Sequence, residues 1–132
     1  MSCCDGKKIL VTDKAPKAIG PYSVGVIGGP FVYTAGQIGV VPETGEFVEG
    51  GVEAQTRQAL TNVSSILEAA GATLANVVKT TVFLKNMSDF AAMNGVYATF
   101  FTENPPARSA VEVAALPKGA LVEIEVVAWI GH

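Results

Sequence analysis

Glu123 and Glu125 stand two residues apart in Val122-Glu123-Ile124-Glu125-Val126, a stretch that reads as a strand. Successive strand side chains point to opposite faces, so these two carboxyls share a face about 7 Å apart along the chain. Paired carboxylates suit general acid–base work, because like charges raise one another's pKa; they equally suit a solvated strand face. Arg108 opens the preceding strand, directly after Pro105-Pro106-Ala107, with the small Ala110 beside it on the same side. A lone Arg among small neighbours can grip a carboxylate through two parallel hydrogen bonds. The competing reading is an ion pair with Glu112 or Glu123. Asn94 interrupts an apolar helical stripe of Phe90, Tyr97 and Phe101, and a polar amide there must either cap a loop or enter a site. Tyr22 ends the rigid turn Ile19-Gly20-Pro21-Tyr22, which aims its ring into a neighbouring crevice or packs it over a loop.

What is missing narrows the chemistry further. The one histidine is His132, so a Ser-His-Asp or Cys-His apparatus and a two-His metal site within one chain are excluded. Gly25, Gly28, Gly29 and Gly36 follow no strand-to-helix phosphate fingerprint, and no P-loop, dinucleotide motif or cluster of metal ligands is visible. A net charge of −3 is a poor match for a nucleic acid backbone, which is met by clustered Lys and Arg. The adjacent Cys3 and Cys4 cannot staple a core and pair only with strain, which fits a reducing cytosol. No signal peptide and no apolar run of membrane-spanning length is seen, so a cytoplasmic protein without membrane partners is expected.

The elements that must hold these residues follow from pattern. The chain has 132 residues, 49% of them apolar, with 14 Gly and 7 Pro. That describes one folded, turn-rich domain spanning 1–132, with 1–6 as a flexible tail. Lys7–Val11 reads as a strand, and Ser23–Ile27 with Phe31–Ala35 as a hairpin turning at Gly28-Gly29-Pro30. Pro42–Gly45 is a second turn. Ala59, Leu60, Val63, Ile66, Leu67 and Ala70 recur at helical spacing within Val52–Ala70, and Gly71 stands where a C-terminal glycine cap belongs. Val77–Lys85 is β-rich. Ser88 is the expected N-cap of a second helix, with Asp89 in its first turn, and Pro105-Pro106 must end it. Arg108–Ala114 and Ala120–Ile130 are the closing strands, separated by Leu116–Gly119. The result is an α+β domain: one mixed sheet of about six strands with two helices on one face. In the last strand Val122, Ile124, Val126, Ala128 and Ile130 form a core face. Leu121, Glu123, Glu125, Val127 and Trp129 form a half-apolar, half-charged one, better suited to a subunit interface than to water.

These residues also carry a resemblance. Ala18-Ile19-Gly20-Pro21-Tyr22-Ser23, Tyr33-Thr34-Ala35-Gly36-Gln37-Ile38 and Val78–Leu84 carry it first. Phe100-Phe101, Pro106–Ala114 and Leu116–Glu125 follow in order and at compatible spacing. Together they resemble the reactive intermediate deaminase A (RidA) family, also called YjgF/YER057c/UK114 or L-PSP. The resemblance implies a chorismate mutase-like subunit in a homotrimer, with an inner barrel of sheets and three sites between subunits. It implies hydrolysis of 2-iminoacids, or of the enamines that tautomerise to them, to 2-oxoacids and ammonia, without a cofactor. Pyridoxal-phosphate enzymes such as threonine dehydratase release these intermediates. The family's carboxylate-binding Arg falls on Arg108, its water-positioning Glu on Glu123, its Asn on Asn94 and its ring-packing Tyr on Tyr22. Some members have Ser in place of Ala35, and Cys or Thr in place of Ala110, which leaves the backbone N–H of Ala110 to bind substrate.

Two other functions fit the same resemblance less well. Some relatives carry an endoribonuclease or translation-inhibitor label, but phosphodiester cleavage wants cationic surroundings that this acidic chain lacks. A non-catalytic module or holdase binding carboxylate ligands would gain from a neutral or basic residue at Glu123. A carboxylate facing a carboxylate ligand makes sense mainly where it handles a proton or a water.

Overall fold

A computed structural model describes residues 6–131; Cys3, Cys4, His132 and most of the expected tail lie outside them. The strands are β1 (Lys8–Leu10), β2 (Gly25–Gly28), β3 (Phe31–Thr34), β4 (Gln37–Ile38), β5 (Val77–Leu84), β6 (Ala107–Glu112) and β7 (Val122–Trp129). The helices are α1 (Gly51–Ala69) and α2 (Phe90–Phe100). The sheet runs β1-β2-β3-β7-β5-β6, with β4 pairing β7 beside β3. All pairs are antiparallel except β5 with β6, which are parallel and joined through α2. A parallel pair needs such a crossover, and α2 supplies it. The α+β class and the two helices are as expected. The difference is a seventh strand, β4.

That short strand exists because β3 leaves β7 early. Pairing of β3 with β7 ends at Tyr33, and β4 resumes it at Gln37 opposite Ile124 and Ile38 opposite Glu123. In the gap, Thr34 Oγ1 accepts the Val126 N–H at 3.1 Å, while Ala35 N–H continues the pairing with β2 by donating to the Val24 carbonyl at 2.8 Å. The freed Val126 N–H is thus satisfied by a side chain, which limits the cost of breaking the ladder there.

Helix α1 buries Ala59, Leu60, Val63, Ile66 and Leu67 completely, the stripe its spacing requires. Each large apolar side chain so buried stabilises the fold by about 1.5–3 kcal/mol. Ala70 ends the helix and Gly71 follows it at φ 77°, the left-handed conformation glycine takes without penalty. Helix α2 begins differently from expectation. Met87–Asp89 form a 3₁₀ turn that runs straight into the helix, and no side chain caps it, so Ser88 is not the N-cap.

In β7, Val122, Ile124, Val126 and Ala128 are buried beneath the helices. The opposite face is bare and carries Ile9, Tyr33, Val111 and Trp129, each more than 40% exposed, together with Glu123 and Glu125. Among the described residues, no helix is long and apolar enough to cross a membrane.

Candidate functional site

Glu123 opens the bare face at a cleft of about 470 Å³. Four segments wall it: residues 16–22, residues 36–38 with β4, the turn at residues 40–45, and the Pro117-Lys118 turn. The first is stiffened locally, with Tyr22 N–H donating to the Gly20 carbonyl at 2.8 Å and the Tyr22 hydroxyl accepting from Ile19 N–H at 3.4 Å. Its ring is half exposed and lines the cleft.

The carboxyl of Glu123 has a pKa raised above its ordinary value, first by burial and then by the charge of Glu125. The charge pair read from the sequence is thus the lesser cause; desolvation of the charged form is the greater. Gly36 makes that burial geometrically feasible. A Cβ added there would lie 2.5 Å from Oε2 and 2.8 Å from Cδ of Glu123, so the carboxyl occupies the space a side chain would fill. We therefore expect Gly36→Ala to fold, since the carboxyl end of a Glu can swing away, yet to lose most of the activity that depends on Glu123. Thermal melting beside a turnover assay checks this. Full activity in the variant would show that the position of the carboxyl is unimportant.

Arg108 lies elsewhere. It pairs in register with Thr80 on β5, and Thr80 with Val126 on β7, so it stands on the helix-covered face. Its Nη1 donates to Asn94 Oδ1 at 2.6 Å. The guanidinium carbon sits 4.7 Å from the centre of the Tyr97 ring and 5.3 Å from that of Phe90. Tyr97 is held in turn by a 2.8 Å hydrogen bond between its hydroxyl and Thr80 Oγ1. A cation over two rings with one N–H committed is fixed in direction while its other N–H groups stay available. The polar break in the α2 stripe is explained: Asn94 orients Arg108. The ion-pair alternative fails for Glu112, which instead accepts the Met87 N–H at 2.7 Å.

Ala110 shares the Arg108 face, opposite Val82. β6 is the last strand of the sheet, and Val113 N–H points inward to the Leu84 carbonyl. Alternation along the strand turns the Ala110 N–H to the open edge.

The structure thus brings together Tyr22 and Glu123, and separately Arg108, Asn94 and Ala110, but not the two sets. Glu123 pairs with Phe83, and Phe83 with Val111, on the bare face; Arg108 is on the other. Within one chain the sheet itself stands between them.

Sequence reasoning missed the polar face of α1 that holds the cleft. Buried Asn62 donates to the Val40 carbonyl at 2.9 Å and to that of Ile38 at 3.3 Å. Gln55 Oε1 accepts the Leu121 N–H at 2.9 Å. Two amides on a buried helix face are a signal of backbone partners, because buried polar groups must be satisfied.

An α+β domain with a carboxylate cleft on one sheet face and an aromatic-backed Arg on the other defines a recognisable class. A family model described as Endoribonuclease L-PSP matches residues 12–130, and the chain belongs to that family. A RutC family protein of Pyrococcus horikoshii is 54% identical over 123 residues, covering 93% of this chain and 98% of the relative. The 2-iminobutanoate/2-iminopropanoate deaminase of Rattus norvegicus is 50% identical over 122 residues, covering 92% and 89%. Among solved structures, E. coli TdcF with bound serine superposes with a TM-score of 0.90 at 46% identity, covering 94% of this chain and 99% of that one.

Proposed function

We propose that this protein is a cofactor-independent 2-iminobutanoate/2-iminopropanoate deaminase, which hydrolyses the imines and enamines released by pyridoxal-phosphate enzymes to 2-oxoacids and ammonia. The observation that carries the reading is the Arg108 guanidinium, backed by Tyr97 and Phe90, tied to Asn94 and open on its remaining N–H groups. Such a fork suits a small carboxylate. The relatives named as deaminases support the choice of substrate.

In this reading the substrate carboxylate lies on Arg108, with the Ala110 N–H beside it, and orientation replaces a loose encounter. Glu123 accepts a proton from water as its oxygen bonds to C2 of the imine. It then returns that proton to the nitrogen of the resulting carbinolamine. The C–N bond breaks as the hydroxyl gives its proton back to the Glu123 carboxylate and the carbonyl forms; ammonia takes that proton from Glu123 and departs as ammonium, leaving the carboxylate ready for the next turn. An iminium carbon is already electrophilic, so the residues supply only position and proton transfer. Coupling the protein to threonine dehydratase tests the reaction: 2-oxobutanoate and ammonia should appear faster than in buffer.

Because Arg108 and Glu123 lie on opposite sheet faces, we propose that one subunit supplies Arg108, Asn94 and Ala110 and the next supplies Tyr22 and Glu123, in a homotrimer. Sedimentation equilibrium should give about three chain masses. Trimers reassembled from Glu123→Gln and Arg108→Ala chains should regain activity, since a closed ring of mixed chains contains one unaltered site, roughly a third of the full set. Mixtures as inactive as their parents would place both residues in one subunit's site and overturn the shared arrangement.

A further inference from the structure

Among the described residues, two other than glycine have a clearly positive φ: Asn104 at 48° and Lys118 at 58°. Asn visits this region readily because its short amide bonds locally, whereas Lys has no such compensation. An unassisted turn at this position would be filled by Gly or Asn. The conformation is imposed from both sides. Gly119 N–H donates to the Leu116 carbonyl at 3.2 Å, and Ala120 N–H to that of Pro117 at 3.0 Å. Ala120 is buried, and Leu121 N–H is held by Gln55. The turn therefore cannot relax without dislodging the start of β7, and Lys118 lines the cleft together with Glu123 and Tyr22.

Strain held at a cleft by surrounding structure points from the outlier to a use for it. An anionic substrate that must approach Glu123 meets a like charge in a partly desolvated space, where the repulsion is stronger than in water. Besides Lys118, the ionisable groups lining the cleft are Lys17, Glu43, Tyr22 and Glu123. Lys118 is the cation nearest in sequence to Glu123 and the one whose backbone is strained to place it. We infer that Lys118 is a substrate-positioning residue, kept in an unfavourable conformation because its ammonium, on the lining of the cleft, draws anionic 2-iminoacids toward Glu123. This rests on the deaminase reading above and deepens it: the site selects for substrate charge at its mouth as well as at Arg108.

Three variants separate charge from strain. Lys118→Met removes the charge and keeps the strain, Lys118→Gly removes both, and Lys118→Arg keeps both. Calorimetric binding of 2-oxobutanoate at low salt should weaken about threefold in the Met and Gly variants and hold in the Arg variant, with KM rising in parallel and kcat unchanged. At about 0.5 M salt the difference should vanish, because exposed charges are then screened. Lys118→Gly alone should raise Tm, by about 2 °C, as the strain is released. Equal low-salt affinity in wild type and Lys118→Met would overturn the role of Lys118 and leave the deaminase reading intact. Failure of the wild-type protein to hydrolyse 2-iminobutanoate would overturn that reading itself, and this inference with it.

Discussion

Glu123→Gln should lower 2-iminobutanoate turnover by about 10²–10⁴-fold, the range expected when a general acid–base group is lost. Gln keeps the size and hydrogen-bonding capacity of Glu but cannot carry the proton from water to nitrogen. Binding of 2-oxobutanoate should hold or tighten, because one negative charge near the ligand carboxylate is gone. The pH profile should change too. The pKa of Glu123 is raised by burial and by Glu125, so the acid limb of kcat/KM should fall at a higher pH than an ordinary Glu would give, and it should be absent in the variant. Stability follows with the opposite sense to function. A carboxyl whose folded pKa exceeds its unfolded one binds more protons when folded, so its presence lowers stability as pH rises from the unfolded value of 4.5 through the folded one. Glu123→Gln should therefore melt higher than wild type at pH 7, and the gap should close below that window. Wild-type turnover in Glu123→Gln would end the proton-shuttle mechanism outright.

Arg108→Lys should cost about 2–4 kcal/mol in kcat/KM, as a planar fork is replaced by a point charge. The loss should appear in 2-oxoacid affinity as well as in turnover, which distinguishes it from Glu123→Gln, where the two quantities part. Two features of the setting add to the cost. The Lys ammonium cannot spread over the Phe90 and Tyr97 rings as a guanidinium does, and it cannot donate to Asn94 while presenting a flat pair of N–H groups outward. Asn94→Ala should reproduce a milder form of the same defect, since Arg108 would keep its rings but lose its 2.6 Å tether. Calorimetry with 2-oxobutanoate beside the coupled assay measures both effects. Unchanged 2-oxoacid affinity in Arg108→Lys would remove Arg108 as the carboxylate anchor.

The sequence by itself determined what is local. Alternation along Val122–Trp129 separated a core face from one bearing Glu123 and Glu125, and the helical period of Ala59–Leu67 marked the stripe that α1 buries. Both patterns depend on neighbours a few residues away, so they survive being read without a fold. The motifs from Ile19 to Glu125 carried the family in the same way. Tertiary structure decided everything that depends on which segments lie side by side. That Arg108 and Glu123 occupy opposite faces follows from the registers of β6 and β7 on β5, and a shift of one residue in either would reverse it. β4 arises only because β3 peels from β7 at Thr34, and the pairing of Gln37 with Ile124 spans most of the chain. Gly36 matters because Glu123 folds against it, and burial outweighs Glu125 in raising the Glu123 pKa in a cleft whose walls come from four separate segments. The left-handed turn at Lys118 is likewise held by Gln55, 66 residues before the Leu121 N–H that it binds. Periodicity records which way a side chain points from its own strand or helix; what it meets there is set by chain segments far away in sequence.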